Sequence, residues 1–128
     1  MTLSCPNASL SPSAHGAHWT VLCQRSDLVA YSGVAAWCDS SDGAHQVALF
    51  YLPGQPTELF ALDHHDPVAQ ANVIARGLLG DHQGEPMVAS PLYKQHYRLA
   101  DGQCLEDPSI QLRTWSVAFD QDRVMIAT

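Results

Sequence analysis

The residues able to ligate metal or attack a substrate are present but scattered. Cys5, Cys23, Cys38 and Cys104 show no Cys-x-x-Cys spacing, so neither a zinc ribbon nor a thioredoxin-type pair is readable. Two disulfides are conceivable, but in a cytoplasmic chain reduced, mostly buried thiols are expected. His64-His65 is the one close histidine pair. Neighbours on a strand point to opposite faces, so the pair reads as exposed polar residues and not as ligands of one ion. His15 and His18 fall in or beside a polar leader, and His45, His82 and His96 have no second ligand at useful spacing. Ser90 is not framed by Gly-x-Ser-x-Gly, and no phosphate loop or Gly-x-Gly-x-x-Gly turn occurs, so the chain is expected to bind neither NADH nor FAD by itself. Cys104 follows a turn glycine and reads as a core or turn cysteine.

The elements that would position these residues are mostly short strands. Residues 19–25, 33–38, 47–52 and 57–62 are apolar or alternating runs, separated by Ser40-Ser41-Asp42-Gly43 and Pro53-Gly54-Gln55-Pro56, which are turn sequences. The 47–52 run is continuously apolar, as for a strand buried on both faces. Further on, Tyr93, Gln95, Tyr97 and Leu99 alternate with Lys94, His96 and Arg98, and Asp101-Gly102 follows as a hairpin signal. Trp115, Val117 and Phe119 alternate with Thr114, Ser116 and Ala118, and Gln121-Asp122 turns into a last strand at 124–126. Turns about every ten residues predict an all-β antiparallel sandwich or barrel, with Trp19, Trp37 and Trp115 in its core. One segment predicts a short helix. Asp66 suits its N-cap, Pro67 its first position, Arg76 its last turn and Gly77 a left-handed C-terminal cap. On that reading Asp66→Ala costs about 1 kcal/mol of lost capping.

The chain has 128 residues, enough for one domain that buries roughly two thirds of its unfolded surface. Residues 1–17, rich in Ser, Ala, Pro and Gly, read as a flexible N-terminal leader, and 18–128 as the domain. Net charge is −7, and Lys94 is the one lysine. Such a surface repels phosphate backbones and anionic lipid, so nucleic acid and membrane are not expected as partners. The start lacks a basic, apolar signal segment, and no run approaches the ~18 apolar residues of a spanning helix. A cytoplasmic location is expected.

Two stretches carry a family likeness. The first is Ala61-Leu62-Asp63-His64-His65-Asp66-Pro67, continuing through Ala71-Asn72-Val73-Ile74-Ala75-Arg76-Gly77-Leu78-Leu79-Gly80-Asp81. The second is Gly84-Glu85-Pro86-Met87-Val88-Ala89-Ser90-Pro91-Leu92-Tyr93-Lys94-Gln95, continuing through Tyr97-Arg98-Leu99 to Gly102-Gln103-Cys104-Leu105-Glu106-Asp107-Pro108. Together they resemble the small subunit of bacterial assimilatory NAD(P)H nitrite reductase, a relative of Rieske ferredoxins. The likeness runs from about Trp19 to Ile126 and is most specific over Ala89-Ser90-Pro91-Leu92-Tyr93-Lys94-Gln95.

Rieske centres hold one iron with two cysteines and the other with two histidines, supplied in the family as Cys-x-His and Cys-x-x-His loops. Laid on that pattern, the cysteine slots hold Asp66 and Ser90, and the histidine slots hold Val68 and Tyr93. Pro67 and Pro91 keep the prolines that follow each cysteine. Hard oxygen and a hydrocarbon do not replace thiolate and imidazole, so the resemblance implies a Rieske-type fold without its cluster and with no catalytic residues. It further implies a cofactor-free docking or stabilising subunit. The partner would be a large subunit that carries sirohaem, an iron–sulfur cluster and FAD and reduces nitrite to ammonium with NAD(P)H, in nitrate assimilation. The implied contact surface is Asp66, Pro67, Val68, Ser90, Pro91, Leu92, Tyr93 and Lys94. Tyr93 would either fill the space of the missing cluster or meet the partner. Two other readings stay open: a Rieske-type ferredoxin electron carrier, and a free-standing binding module on the same fold.

Overall fold

The computed structural model describes residues 19–40, 43–92 and 95–128. The leader, with Cys5, His15 and His18, and the loop residues Tyr93 and Lys94 lie outside the described residues. Among the described residues twelve strands are formed: β1 (Trp19–Gln24), β2 (Ser32–Ser40), β3 (Gly43–Tyr51), β4 (Leu59–Asp63), β5 (His65–Asp66), β6 (Ala71–Asn72), β7 (Leu78–His82), β8 (Glu85–Ala89), β9 (His96–Arg98), β10 (Thr114–Trp115), β11 (Val117–Asp120) and β12 (Arg123–Ala127). All strand pairings are antiparallel: β1-β12-β11, β10-β4-β3-β2, β5-β6 and β7-β8-β9. The all-β class read from the turn spacing is the class observed.

The centre of the fold is β3. Val47, Ala48, Leu49 and Phe50 are all 0% exposed, as the unbroken apolar run requires. Strand alternation sends Ala48 and Phe50 into one cluster, with Leu62, Ile74, Val88, Tyr97 and Leu99. It sends Val47 and Leu49 into another, with Leu59, Ala61, Trp115, Val124 and Ile126. Each such side chain contributes roughly 1.5–3 kcal/mol by leaving water. Strands β5 to β9 form an insertion between β4 and β10, and Tyr97 and Val88 pin it onto the first cluster.

Three expectations are corrected. The 66–77 segment is not an α-helix. Asp66 pairs with Ala71 in a tight hairpin, Gln70 reverses the chain at φ 57, and only a single 3-10 turn follows at Ile74–Arg76. The competing bond is Ile74 N–H to the carbonyl of His64 at 3.1 Å, which draws the chain back before a second helical turn can form. A segment this short has too little intrinsic helicity to resist. Gly77 is then extended, at φ −71 and ψ 166. It is glycine for lack of room: a Cβ there would lie 2.4 Å from the carbonyl oxygen of Ala89. The 114–119 run is likewise two strands in two sheets, broken at Ser116. Finally, Trp37 is 68% exposed, while Trp115 is buried.

Candidate functional site

The first loop that carries the site lies between β5 and β6, and the second between β8 and β9. β4 runs through Leu62, and alternation continues past its end: Leu62, His64 and Asp66 face inward, at 0%, 5% and 0% exposure. Asp63 and His65 are half-buried beside them. The second loop leaves β8 at Ala89, and its return is closed by Ser90 N–H donating to the carbonyl of Gln95 at 2.8 Å.

Asp66 joins the loops. Its Oδ1 accepts from Val68 N–H at 2.9 Å, from Ala69 N–H at 3.3 Å and from the Tyr97 hydroxyl at 3.0 Å. Its Oδ2 accepts a short bond from the Ser90 hydroxyl. Four donors thus converge on a group that, ionised, only accepts. Charge-assisted bonds of this kind are the strong ones. Burial, then the hydrogen bond to Asp66 and its charge, push the Tyr97 hydroxyl well above its ordinary pKa. Tyr97 therefore stays protonated and keeps donating. The capping chemistry assigned to Asp66 is real at Val68 and Ala69, but it caps a turn and serves chiefly as a bolt between two loops.

His64 is buried, not exposed as its polar neighbourhood suggested. Its Nδ1 accepts from Ala75 N–H at 3.1 Å, which fixes the neutral ring with its proton on Nε2. Burial, then the nearby Arg76 cation, lower its pKa below 6.5, against the opposing charge of Asp63. Protonation would set two donors face to face. An unfolded chain takes up that proton near pH 6.5, so below that value the unfolded state binds more protons than the folded one. Stability must fall as pH drops from about 7 toward 5. We expect urea titrations at pH 7 and pH 5 to show this loss, and His64→Asn to flatten it. An unchanged slope in His64→Asn would remove His64 as the cause.

The other histidine-rich corner is braced in a different way. Glu106 accepts from His96 N–H at 2.8 Å and sits 2.5 Å from its Nδ1. Burial alone would raise the Glu106 carboxyl, but these His96 contacts prevail and hold it below its usual range. Cys38 and Cys104 are buried thiols, and burial pushes the Cys104 thiol up, away from reactivity. Among the described residues no group of three His, Cys, Asp or Glu is placed to hold a metal ion.

Asp66, Val68 and Ser90, the described residues that the resemblance lays on the Rieske ligand pattern, do not fit a two-iron cluster. A carboxylate, a hydrocarbon and a hydroxyl stand where thiolate, imidazole and thiolate are needed. The two cysteine slots are moreover bonded directly to each other through Ser90 and Asp66. The structure brings together Asp66 and Ser90 but turns both inward. Pro67 and Val68 are half-buried, Pro91 is exposed and Leu92 is 53% exposed. Tyr97 was not singled out from sequence, and His64 only as an exposed polar residue. The inward alternation Leu62, His64, Asp66, and the core face shared by Tyr97 and Leu99, were the available signals.

Comparison with known proteins places these features in a family. Residues 18–127 match the family described as Rieske-like [2Fe-2S] domain. The NADH nitrite reductase small subunit of Salmonella typhimurium is 41% identical over 95 residues, which are 74% of this chain and 83% of that protein. The solution structure of NirD from Escherichia coli superposes with a TM-score of 0.74 at 33% identity, covering 88% of this chain and 97% of that one. A nitrite reductase NAD(P)H large subunit of Klebsiella oxytoca is 38% identical over 108 residues, 84% of this chain but 11% of that longer protein.

Proposed function

Because the chain belongs to the Rieske-like [2Fe-2S] domain family, on the branch of the NADH-dependent nitrite reductase small subunits, we propose that it is the docking subunit of such an enzyme. In this reading it holds no cofactor and no reacting group. It binds a cytoplasmic large subunit, bearing sirohaem, an iron–sulfur cluster and FAD, and stabilises the active arrangement for reduction of nitrite by NAD(P)H. The observation that carries this is the double occurrence of the domain, as a separate small subunit in one relative and inside a large-subunit chain in another. Covalent tethering supplies a high effective concentration. A separate copy needs a surface that achieves the same contact unaided.

The contact patch proposed is the tip of the two loops: Pro67, Val68, Pro91, Leu92, Tyr93 and Lys94. Asp66 and Ser90 belong to it as internal braces, since neither presents area to a partner. The test mixes the purified chain with its large subunit and follows co-elution and nitrite-dependent NAD(P)H oxidation. Leu92→Ser and Lys94→Glu are each expected to weaken association about tenfold, roughly 1.4 kcal/mol. If both variants co-elute and support turnover fully, the tip is not the interface. If the unmutated chain fails to associate, the docking reading itself is wrong. Iron and sulfide in the purified chain would instead favour an electron carrier.

A further inference from the structure

A hollow of about 510 Å3 opens where the chain breaks at Ser116 between β10 and β11, walled by Trp19, Leu59, Phe60, Trp115 and Val117. Three donors around it lack an acceptor among the described residues. Two are the buried indole N–H groups of Trp19 and Trp115. The third is main chain. Asp63 N–H donates to the Arg113 carbonyl at 2.9 Å, and Trp115 pairs with Ala61. In an antiparallel ladder every second residue turns its N–H and C=O to the same neighbour. Leu59, two before Ala61, therefore turns its own toward β10. But β10 ends at Trp115, and Val117 has crossed over to pair with Ile126. Leu59 is 8% exposed, so water is a poor substitute there.

Main chain satisfies all three. An extended segment beside β4 offers carbonyls to the indoles and to Leu59 N–H, and an N–H to the Leu59 carbonyl, as an added strand does. The protein carries such a segment at the mouth of the hollow. Residues 1–18 join the domain at Trp19, which is itself a wall. Trp19 is held beside the break, because it pairs with Ala127, whose N–H donates to the Ser116 carbonyl at 3.0 Å. Residues 10–18 reach up to roughly 30 Å when extended, and covalent attachment gives them a high effective concentration.

Charge favours this occupant over a second copy. Residues 1–18 contain no Asp, Glu, Lys or Arg, so the whole net charge of −7 lies on the rest of the chain. A second copy would bring another −7 to the hollow and be repelled, whereas the leader brings none. Its side chains suit the space as well. Ser13, Ala14, Gly16 and Ala17 are small, and Leu10 lies further out. An adjoining hollow of about 280 Å3 shares Thr57, Phe60 and Ala100 with the first and adds Pro56 and Pro86.

We propose that residues 10–17 dock within the same chain as an extra strand on the open edge of β4 at Leu59. Their carbonyls accept from the two indoles, and Leu10 fills the adjoining hollow. The docked segment covers a sheet edge that would otherwise invite pairing with other chains. This inference is independent of the docking function proposed above.

The experiment uses the isotopically labelled full chain, its Leu10→Asp variant and a chain lacking residues 2–16. In the unmutated chain the Leu59 amide and both indole N–H hydrogens are expected to exchange slowly at every protein concentration, and the Leu10 methyls to show cross-relaxation with the Phe60 ring. Both altered chains are expected to exchange these three hydrogens about tenfold faster, through local opening, while the Val47 and Leu49 amides of β3 keep their protection and report an intact fold. Fast exchange at Leu59 in the unmutated chain overturns the proposal, as does equal exchange in all three proteins. Protection that rises with protein concentration gives the edge to a second copy. Protection gained only on adding the large subunit gives it to that partner and leaves the docking function standing. Either result overturns the assignment to the leader.

Discussion

Asp66→Ala is expected to destabilise the domain by about 3–5 kcal/mol, several times the value for a lost turn cap. The substitution removes the acceptor for four donors: the half-buried amides of Val68 and Ala69 and the buried hydroxyls of Ser90 and Tyr97. Each donor stranded away from water costs roughly 1–3 kcal/mol. The two hydroxyls recover part of this by rotating, which keeps the total below a simple sum. For a domain near 110 residues the loss corresponds to a fall in Tm of roughly 10–20 °C. Tyr97→Phe strands nothing and removes one donor, so it should cost only about 1–2 kcal/mol. In the double variant the two costs should not add, because both act on one bond network. Urea denaturation of the four proteins measures the cycle. An Asp66→Ala protein within about 1 kcal/mol of the unmutated chain would return Asp66 to the role of a surface cap.

The bolt explains why a Rieske scaffold can lose its ligands without losing its tip. In a cluster-bearing relative the metal centre ties the two loops, and metal binding contributes directly to folding. Here the Asp66 carboxylate and the Ser90 hydroxyl bond to each other and tie the two loops. The cost of burying Asp66 is offset by its four donors, two of them backbone amides that the turn supplies in any case.

What could be read from the sequence follows from what each signal depends on. Periodicity two depends on one face being buried, and it located β9, where buried Tyr97 lies between half-buried His96 and Arg98. The unbroken run at 47–52 gave a strand with both faces covered, and β3 is that strand. The helix at 66–77 was misread because its cap, proline and glycine are local signals, whereas the chain there is governed by three partners outside the segment. Asp66 reaches Ser90 and Tyr97, and Ile74 returns to His64. Gly77 looked like a cap and is a close approach to Ala89, which no local pattern encodes. The sequence offered Asp66, Val68 and Ser90 as substitutions in a known frame. That Asp66 and Ser90 bond to each other was not legible, since loop-to-loop distance is a tertiary quantity. Trp37 shows the converse, because apolar residues are assigned to cores by default and a surface tryptophan leaves no mark in the pattern.

Gly102→Ala should cost about 3–4 kcal/mol, and its effect should reach Asp66. Gly102 sits at φ +77, a left-handed conformation that costs an L side chain roughly 1–2 kcal/mol. A Cβ would also lie 2.2 Å from the carbonyl oxygen of Leu112. That oxygen belongs to a segment fixed by the Leu112 N–H bond to Gly102 at 2.9 Å and by burial of the Leu112 side chain. It cannot retreat without breaking both, which adds the roughly 1–3 kcal/mol of an overpacked site. Gly84 is the internal control. It has φ +85 and open space around its Cβ position, so Gly84→Ala should cost only about 1 kcal/mol. The Gly102 turn also carries Gln103, whose carbonyl accepts from Arg98 N–H at 2.9 Å, and leads into Leu105, which donates to His96 at 2.8 Å. These bonds hold β9 against the 103–105 segment, while β8 pairs with it separately, and β9 places the Tyr97 hydroxyl on Asp66. In Gly102→Ala, hydrogen exchange at Val68 and Ala69 should therefore accelerate along with that at Tyr97, even though neither amide is near the substitution. Equal losses in Gly102→Ala and Gly84→Ala would show that backbone strain alone is at work. Protection retained at Val68 and Ala69 would show that the turn and the bolt are mechanically independent.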